Sequence, residues 1–280
     1  MQKIELIAAD GYRLGARFYP RADSRKIVLI APATAVPQGF YRRFALAMNA
    51  RGYSALSLDY RGISASKPRT LKGFHANYRL WGQTDLAAAF DYASQFGDVY
   101  LAGHSFGGHG LGMLPKAASL KAAWICGTGA GYSGYMPRFE RIKVQLLWKL
   151  LAPVGTAIKG YAPMSWFGIG EDLPVGIYRD WKFWCNMPRY FFSDSELANS
   201  EFINRFHQLA IPIQFVNALD DKWALPKSRD AFVSGYQNAV IQRVDLKPAD
   251  YDISEIGHMG YFRPAMAKLW EQAADYFDGY

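Results

Sequence analysis

The sequence predicts an α/β fold with a mostly parallel, doubly wound sheet of about eight strands. Between residues 26 and 127, short apolar runs alternate with stretches of helical spacing, which is typical of a parallel sheet with helices on both faces. The alternation resumes after about residue 208 and continues to the end of the sequence. Half of the 280 residues are hydrophobic, so the chain can bury a large core and does not have the composition of a disordered segment.

Six of the predicted strands lie in the first half of the chain. Residues 3–19 predict two strands joined by a tight turn at Asp10-Gly11. Residues 26–30 are continuously apolar, which is typical of a strand buried on both faces of a sheet. The same criteria predict, in chain order, a helix at 40–51, a strand at 54–58, a helix at 81–95 and strands at 99–102 and 121–126.

Residues 128–207 interrupt this alternation, because they contain no clear buried strand. Within them, residues 132–192 carry eight basic and four acidic side chains, together with half of the eight tryptophans, namely Trp148, Trp166, Trp181 and Trp184. One short amphipathic helix is predicted at 144–151. Linkers are polar, whereas this segment is aromatic, so we expect an insertion packed on the sheet. Two interpretations stay open: ordinary helical core, or an aromatic-lined cap over a site.

The sheet is predicted to resume with strands at 211–216 and 239–246 and helices at 227–235 and 265–277. Each of these two strands is followed by a polar loop that contains aspartate or histidine. Ligands of doubly wound sheets bind at the carboxyl ends of the strands, so these loops are expected to face a site.

A nucleophile elbow is predicted at Gly103-His104-Ser105-Phe106-Gly107, between an apolar strand and a run of small residues that can open a helix. The turn from strand to helix is so tight that side chains flanking the serine would collide, which explains the two glycines. The serine hydroxyl then stands clear of the backbone. The next N–H lies at the helix start, where negative charge is favoured. A glycine-rich turn without catalytic meaning is the alternative, and the presence of an acid and a histidine decides between the two.

An acid and a histidine do follow Ser105 along the chain, at Asp221 and His258. A serine hydroxyl needs a base within hydrogen-bond reach, and histidine suits this role because its pKa lies near the operating pH. A carboxylate must then hold the imidazole in the right tautomer. In an α/β-hydrolase sheet the three residues occur in the order serine, acid, histidine, which is the order found here.

The sequence resembles the serine α/β-hydrolase superfamily over nearly its whole length, and within it a subgroup of predicted α/β-hydrolases. The loop at 32–38 and the segments 59–63, 103–108 and 257–260 carry this likeness. The resemblance implies the α/β-hydrolase fold, with an α-helical cap inserted after the sixth strand. The chain would then divide into a first part of the core at 1–130, an aromatic-rich helical cap at 131–207 and a second part of the core at 208–280.

The resemblance also assigns the catalytic residues. It implies Ser105 as the nucleophile, His258 as the base and Asp221 as the acid, because Asp221 stands a few residues before Pro226, as the acid of the family usually does. Asp220 remains the alternative acid.

An oxyanion hole is expected from two backbone N–H groups, those of Phe106 and Thr34. The second is less firmly aligned, because Pro32-Ala33 replace the His-Gly pair that is usual in the family. Among the cap residues, Trp181 and Trp184 are the candidates for substrate binding.

The resemblance implies a carboxylesterase- or lipase-like serine hydrolase that cleaves a carboxylic ester or thioester through an acyl-enzyme. The aromatic cap suggests a small, apolar substrate. Three alternatives stay open on the sequence: an acyltransferase, a carbon–carbon bond hydrolase using the same triad, and a non-catalytic binding protein of the same fold.

Composition and motifs limit the classes of ligand and partner that the chain is expected to bind. The net charge is +8, but the basic residues are scattered and form no nucleic-acid recognition motif, so we expect a small-molecule substrate and no nucleic acid. Attraction of an anionic substrate or of an acidic membrane surface stays open. Neither a metal-ligand spacing nor a phosphate-binding glycine loop is present, so no cofactor and no metal are expected. The sequence has no apolar run of membrane-spanning length, no visible signal peptide and only two cysteines. It therefore predicts a cytoplasmic protein without stable membrane insertion, and it is compatible with a homodimer.

Overall fold

The structure is a computed structural model that describes residues 1–280. Its eight strands form one sheet in the order β1-β2-β4-β3-β5-β6-β7-β8. The pairs β1–β2 and β2–β4 are antiparallel, and all other neighbours are parallel. The strands are β1 (Gln2–Ile7), β2 (Arg13–Tyr19), β3 (Lys26–Ala31), β4 (Ser54–Leu58), β5 (Asp98–His104), β6 (Ala123–Cys126), β7 (Pro212–Ala218) and β8 (Val240–Leu246). The predicted mostly parallel, eight-stranded sheet is confirmed.

Both faces of the sheet are buried, and the central strand β3 shows how the sequence achieves this. Ile27 and Leu29 point into one hydrophobic cluster, while Val28 and Ile30 point into the other. Successive side chains of a strand alternate between faces, so a continuous apolar run supplies both cores at once.

Nine helices pack around the sheet, several of them preceded or followed by short 3-10 turns. They are α1 (Arg42–Ala50), α2 (residues 78–93), α3 (Phe106–Leu111), α4 (residues 138–159), α5 (Val175–Trp184), α6 (Glu201–Gln208), α7 (Pro226–Val233), α8 (Gly257–Gly260) and α9 (Ala267–Asp278). None of the helices combines the length and the apolar character that spanning a bilayer requires.

The helices α4, α5 and α6 lie between the sixth and seventh strands, in the stretch that the sequence predicts as an insertion. The helix predicted at 144–151 is wrong in extent, because α4 runs from 138 to 159 and ends at Gly160, which has a φ of +74°. Pro153 would normally break such a helix, since it lacks an N–H group. Here the turn Leu147–Leu151 has π geometry, which changes the hydrogen-bond register just before the proline.

Candidate active site

Ser105 occupies a sharp turn between β5 and α3, with a φ of +51° that non-glycine residues rarely adopt. The turn brings α3 against the sheet, where a Cβ on Gly107 would overlap the carbonyl oxygen of Ala31 on β3. A Cβ on Gly103 would lie 2.7 Å from the side chain of Ile125. The two glycines that flank the serine are therefore required by close backbone packing, and they hold the strained serine in place.

A chain of hydrogen bonds joins Ser105, His258 and Asp221. His258 Nε2 lies 3.0 Å from Ser105 Oγ, and His258 Nδ1 lies 3.0 Å and 2.9 Å from the two carboxylate oxygens of Asp221. The carboxylate only accepts hydrogen bonds, so it favours the tautomer with the proton on Nδ1. In that tautomer Nε2 carries a lone pair directed at the serine hydroxyl.

Asp221 is fully buried in the loop after β7. Burial alone would raise its pKa, but the neighbouring His258, the hydroxyl of Tyr261 and the backbone N–H of Ala224 together hold the pKa below its usual value. The hydroxyl of Tyr261 donates to Asp221 at 2.8 Å, and the N–H groups of Trp223 and Ala224 donate at 3.0 Å and 3.1 Å. The carboxylate is thus kept ionised and fixed in position.

Asp220 has a different position. Its Oδ2 accepts hydrogen bonds from the N–H groups of Ile256 and Gly257, at 2.9 Å and 3.2 Å, just before His258 in the chain. The structure brings Asp221 to the imidazole, while Asp220 ties down the loop that carries it.

His104, next to the serine, belongs to a second buried network that the sequence does not predict. The N–H of Ala33 donates to the hydroxyl of Tyr41 at 2.8 Å, and this hydroxyl lies 2.9 Å from His104 Nδ1. His104 Nε2 donates to the carbonyl oxygen of His258 at 2.8 Å, because a carbonyl can only accept. Burial, and then the charge of His258, lower the pKa of His104 to about 3, so the ring is neutral. The network connects the loop after β3 with the loop of His258.

Two backbone N–H groups near Ser105 donate to no acceptor within the protein, those of Phe106 and Thr34. The N–H of Ala33 is already used by Tyr41. The hydroxyl of Thr34 is held by a 2.6 Å hydrogen bond to the hydroxyl of Tyr78. Unpaired donors beside a nucleophile can stabilise a negatively charged oxygen.

Ser105 and His258 lie in a cavity of about 620 Å³ that reaches under α4 and α5. Its walls are mainly apolar. The principal lining side chains are Val36, Val144, Leu147, Leu151, Phe167, Ile169, Trp181, Trp223 and Met259. The polar groups are few, with Thr34 and His109 inside and Glu140 and Lys143 contributed by α4. This composition is typical of a small-molecule site.

No protein-family model matches the chain, and no curated protein matches it in sequence. Solved structures do match along its whole length. The mouse alpha/beta hydrolase domain-containing protein 10 is 14% identical, with a TM-score of 0.62 over 100% of this chain and 99% of that chain. An esterase domain from Rhodothermus marinus is 16% identical, with a TM-score of 0.60 over 98% and 96%. Est1E from Butyrivibrio proteoclasticus, with bound ferulic acid, is 17% identical, with a TM-score of 0.62 over 98% and 97%.

The chain has the α/β-hydrolase fold. The strand order and the strand-to-helix turn at Ser105 place this serine at the carboxyl end of the parallel strands. Of the three helices between β6 and β7, α4 and α5 supply lining residues of the cavity. The α/β-hydrolase fold that the resemblance implies is confirmed.

The two tryptophans named from the sequence lie in different environments. Trp181 lines the cavity. Trp184 does not, because its ring is buried between Tyr190 and Phe191 and its indole N–H donates to Asp194 at 3.2 Å. Trp184 thus packs mainly within the insertion and outside the cavity lining, with its ring 6.2 Å from that of Tyr78 on α2.

Trp223 is a cavity residue that the sequence does not indicate as one. It follows Asp221 by two positions, and its ring lies 5.8 Å from that of Trp181 and 6.5 Å from the imidazole of His258. The loop that holds the acid therefore also supplies an apolar wall beside the histidine. In the sequence, the one feature that marks Trp223 is that it is an aromatic residue within a polar loop.

His109, one helical turn beyond Ser105, also faces the cavity. Its Nε2 donates to the carbonyl oxygen of Gly129 at 2.8 Å, and its ring stacks on Tyr190 at 4.2 Å between centroids. Burial lowers the pKa of His109 to about 4. The neutral ring therefore keeps Nδ1 as an acceptor without a protein partner.

The structure contains no group of three or more His, Cys, Asp or Glu side chains arranged to hold a metal ion. Both cysteines, Cys126 and Cys185, are buried and unpaired.

Proposed function

We propose that this protein is a serine hydrolase that cleaves a carboxylic ester or thioester of a small, apolar substrate. The observation that carries the proposal is the hydrogen-bonded chain from Ser105 through His258 to the buried Asp221, at one end of an apolar cavity. Nucleophile, base and orienting acid then occupy the three positions that acyl transfer requires.

In the first half of the reaction, Ser105 Oγ attacks the substrate carbonyl while His258 Nε2 takes the hydroxyl proton. Asp221 stabilises the imidazolium that results. The carbonyl oxygen becomes an oxyanion and accepts hydrogen bonds from the N–H groups of Phe106 and Thr34. His258 then protonates the departing alcohol or thiol, which leaves an acyl group on Ser105.

In the second half, a water molecule gives a proton to His258 and attacks the acyl-enzyme through the same oxyanion. Collapse of this intermediate returns the proton to Ser105 and releases the carboxylic acid. The network through His104 and Tyr41 supports both steps, because it links the backbone of the base to the loop of the second oxyanion donor.

The lining of the cavity supports the substrate class. Apolar side chains dominate its walls, and no buried cation faces the serine. A volume of about 620 Å³ suits a drug-sized molecule. The similar structures from Rhodothermus marinus and Butyrivibrio proteoclasticus are an esterase domain and a protein with bound ferulic acid, which favours ester chemistry.

Labelling with a fluorophosphonate probe tests the nucleophile. We expect one label per chain for the wild type, none for Ser105→Ala, and unchanged labelling for Ser94→Ala, which removes a hydroxyl from the exposed end of α2. Ester turnover should fall at least about a thousandfold in Ser105→Ala. Labelling of Ser105→Ala at the wild-type rate would rule out this site.

A series of p-nitrophenyl esters tests the apolar pocket. We expect kcat/KM to rise at least about tenfold from acetate to hexanoate, because each methylene buried against the cavity wall contributes about 0.8 kcal/mol. Equal rates across the series would contradict an apolar acyl site even if Ser105 is the nucleophile.

A further inference from the structure

Exposed apolar side chains concentrate on one face of helix α4. Seven of the sixteen large hydrophobic side chains that the whole protein exposes lie on this helix. Six of them, each 48% to 79% exposed, define what we call the outer stripe: Phe139, Ile142, Leu146, Leu150, Val154 and Ile158. Single exposed apolar residues are ordinary, whereas a continuous row marks an interaction surface.

The outer stripe is straight because of the π turn in α4. Its members follow one another by three or four positions. On a regular helix, steps of four drift around the axis by about 40° each, so a long row would wind away from one face. The turn Leu147–Leu151 adds residues per turn and cancels this drift in mid-helix. The row therefore extends over about 28 Å along one side of the helix.

The opposite face of α4 packs against the rest of the protein. Val144 and Leu147 are buried there and line the cavity. A helix that only formed a cavity wall would carry polar residues on its outer side. The outer stripe is therefore not explained by the packing of the protein itself.

The charges of α4 indicate what covers the stripe. Residues 138–159 contain five basic side chains and one acidic side chain, Glu140. All five basic residues are exposed: Arg138, Arg141, Lys149, Lys159 and also Lys143, which lines the cavity and lies 3.9 Å from Glu140. Beyond the end of the helix, Trp166 is 54% exposed, and the ammonium of Lys159 lies 5.2 Å from its ring. Apolar residues flanked by lysine, arginine and tryptophan are the pattern of helices that lie in a membrane interface.

We infer that the outer stripe is a docking surface for an anionic phospholipid bilayer. The helix lies in the plane of the interface, with the stripe among the acyl chains and the basic residues among the headgroup phosphates. A second copy of this chain fits less well, because two stripes in contact would bring two strongly basic helices together. Docking does not depend on the proposed reaction and can be measured without substrate.

Co-sedimentation with vesicles tests the inference. We use phosphatidylcholine vesicles with and without about 30% phosphatidylglycerol, and we expect wild-type binding to the anionic vesicles only, weakened at about 0.5 M salt. The variant Leu150→Gln/Val154→Gln should bind at least about tenfold more weakly. Neither residue lines the cavity.

Two further variants separate the apolar and charged contributions. Ile7→Gln/Val240→Gln changes equally exposed residues at the two edges of the sheet, and it should bind as the wild type does. Arg138→Gln/Lys149→Gln should lower binding to anionic vesicles and reduce its salt dependence. Circular dichroism verifies that each variant is folded.

Three results would overturn the inference. The wild type could bind neither kind of vesicle, the Leu150/Val154 variant could bind as tightly as the wild type, or the wild type could be a dimer that this variant dissociates. The last result, read from light scattering, would assign the stripe to a second copy of the chain.

Discussion

At the scale of single residues, the adjacent Asp220 and Asp221 in the loop after β7 make different contacts. Asp221 accepts hydrogen bonds from His258, and Asp220 accepts them from Ile256 and Gly257. The sequence favours Asp221 as the acid but leaves Asp220 open, because both stand near the expected distance from Pro226 and only the folded backbone fixes where each side chain points. The same limit applies to Tyr261, His104 and Trp223, whose importance rests on contacts between distant segments.

Matched amide substitutions test this division of labour. In Asp221→Asn the amide favours the wrong imidazole tautomer, so we expect fluorophosphonate labelling to slow by about a thousandfold or more. In Asp220→Asn the remaining oxygen still accepts from the loop N–H groups, so the loss should stay within about tenfold. Labelling rates of the two variants, measured side by side, check the assignment. If the labelling rate fell further in Asp220→Asn than in Asp221→Asn, Asp220 would be the acid that orients His258.

At the scale of elements, the sequence predicts the strands and turns that short-range patterns determine. Alternating apolar runs located all eight strands, and the flanking glycines located the turn at Ser105. The full length of α4 could not be predicted, because Pro153 signals a helix end and no local pattern shows that a π turn accommodates it. Trp181 and Trp184 lie on the same helix, but their different environments depend on neighbours that only the folded chain brings together.

Two glycines of α3 offer a matched test of the elbow. In Gly107→Ala the added methyl overlaps the carbonyl of Ala31, so α3 must move away from β3. We expect a loss of about 2–4 kcal/mol in the free energy of unfolding, together with slower labelling of Ser105. In Gly110→Ala the nearest atom is the tip of Leu86 at 3.3 Å, and the better helix propensity of alanine offsets the contact.

Urea denaturation of the two glycine variants measures the difference in unfolding free energy. A value for Gly107→Ala within about 1 kcal/mol of that for Gly110→Ala would contradict close packing of α3 against the sheet.

At the scale of the whole molecule, one buried histidine lies beside the site on each side of the sheet. His104 lies among Tyr41, Tyr261 and Phe262 on one side, and His109 packs on Tyr190 in the cluster on the other side. Burial lowers the pKa of His104 to about 3 and that of His109 to about 4. Both rings are therefore neutral in the folded protein across the physiological range.

These two histidines should make the protein sensitive to acid. An unfolded histidine titrates near pH 6.5, so the unfolded chain binds more protons below that pH and the free energy of unfolding falls as the pH falls. Each histidine contributes a slope of up to about 1.4 kcal/mol per pH unit. Asp85 has the opposite effect, because burial, opposed by Arg61, raises its pKa to about 6. Its contribution to the free energy of unfolding therefore rises as the pH falls from about 6 to about 4.

The variant His109→Gln isolates one of these contributions from the others. The glutamine amide can still donate to the carbonyl of Gly129 but cannot titrate. Between pH 6.5 and pH 4 the wild type should lose about 3 kcal/mol more unfolding free energy than the variant, because the effects of His104 and Asp85 are common to both and cancel. Urea denaturation across this pH range provides the comparison. Parallel curves for the two proteins would mean that His109 is protonated, or hydrated, in the folded state, and that the cavity beside Ser105 is open to water at that point.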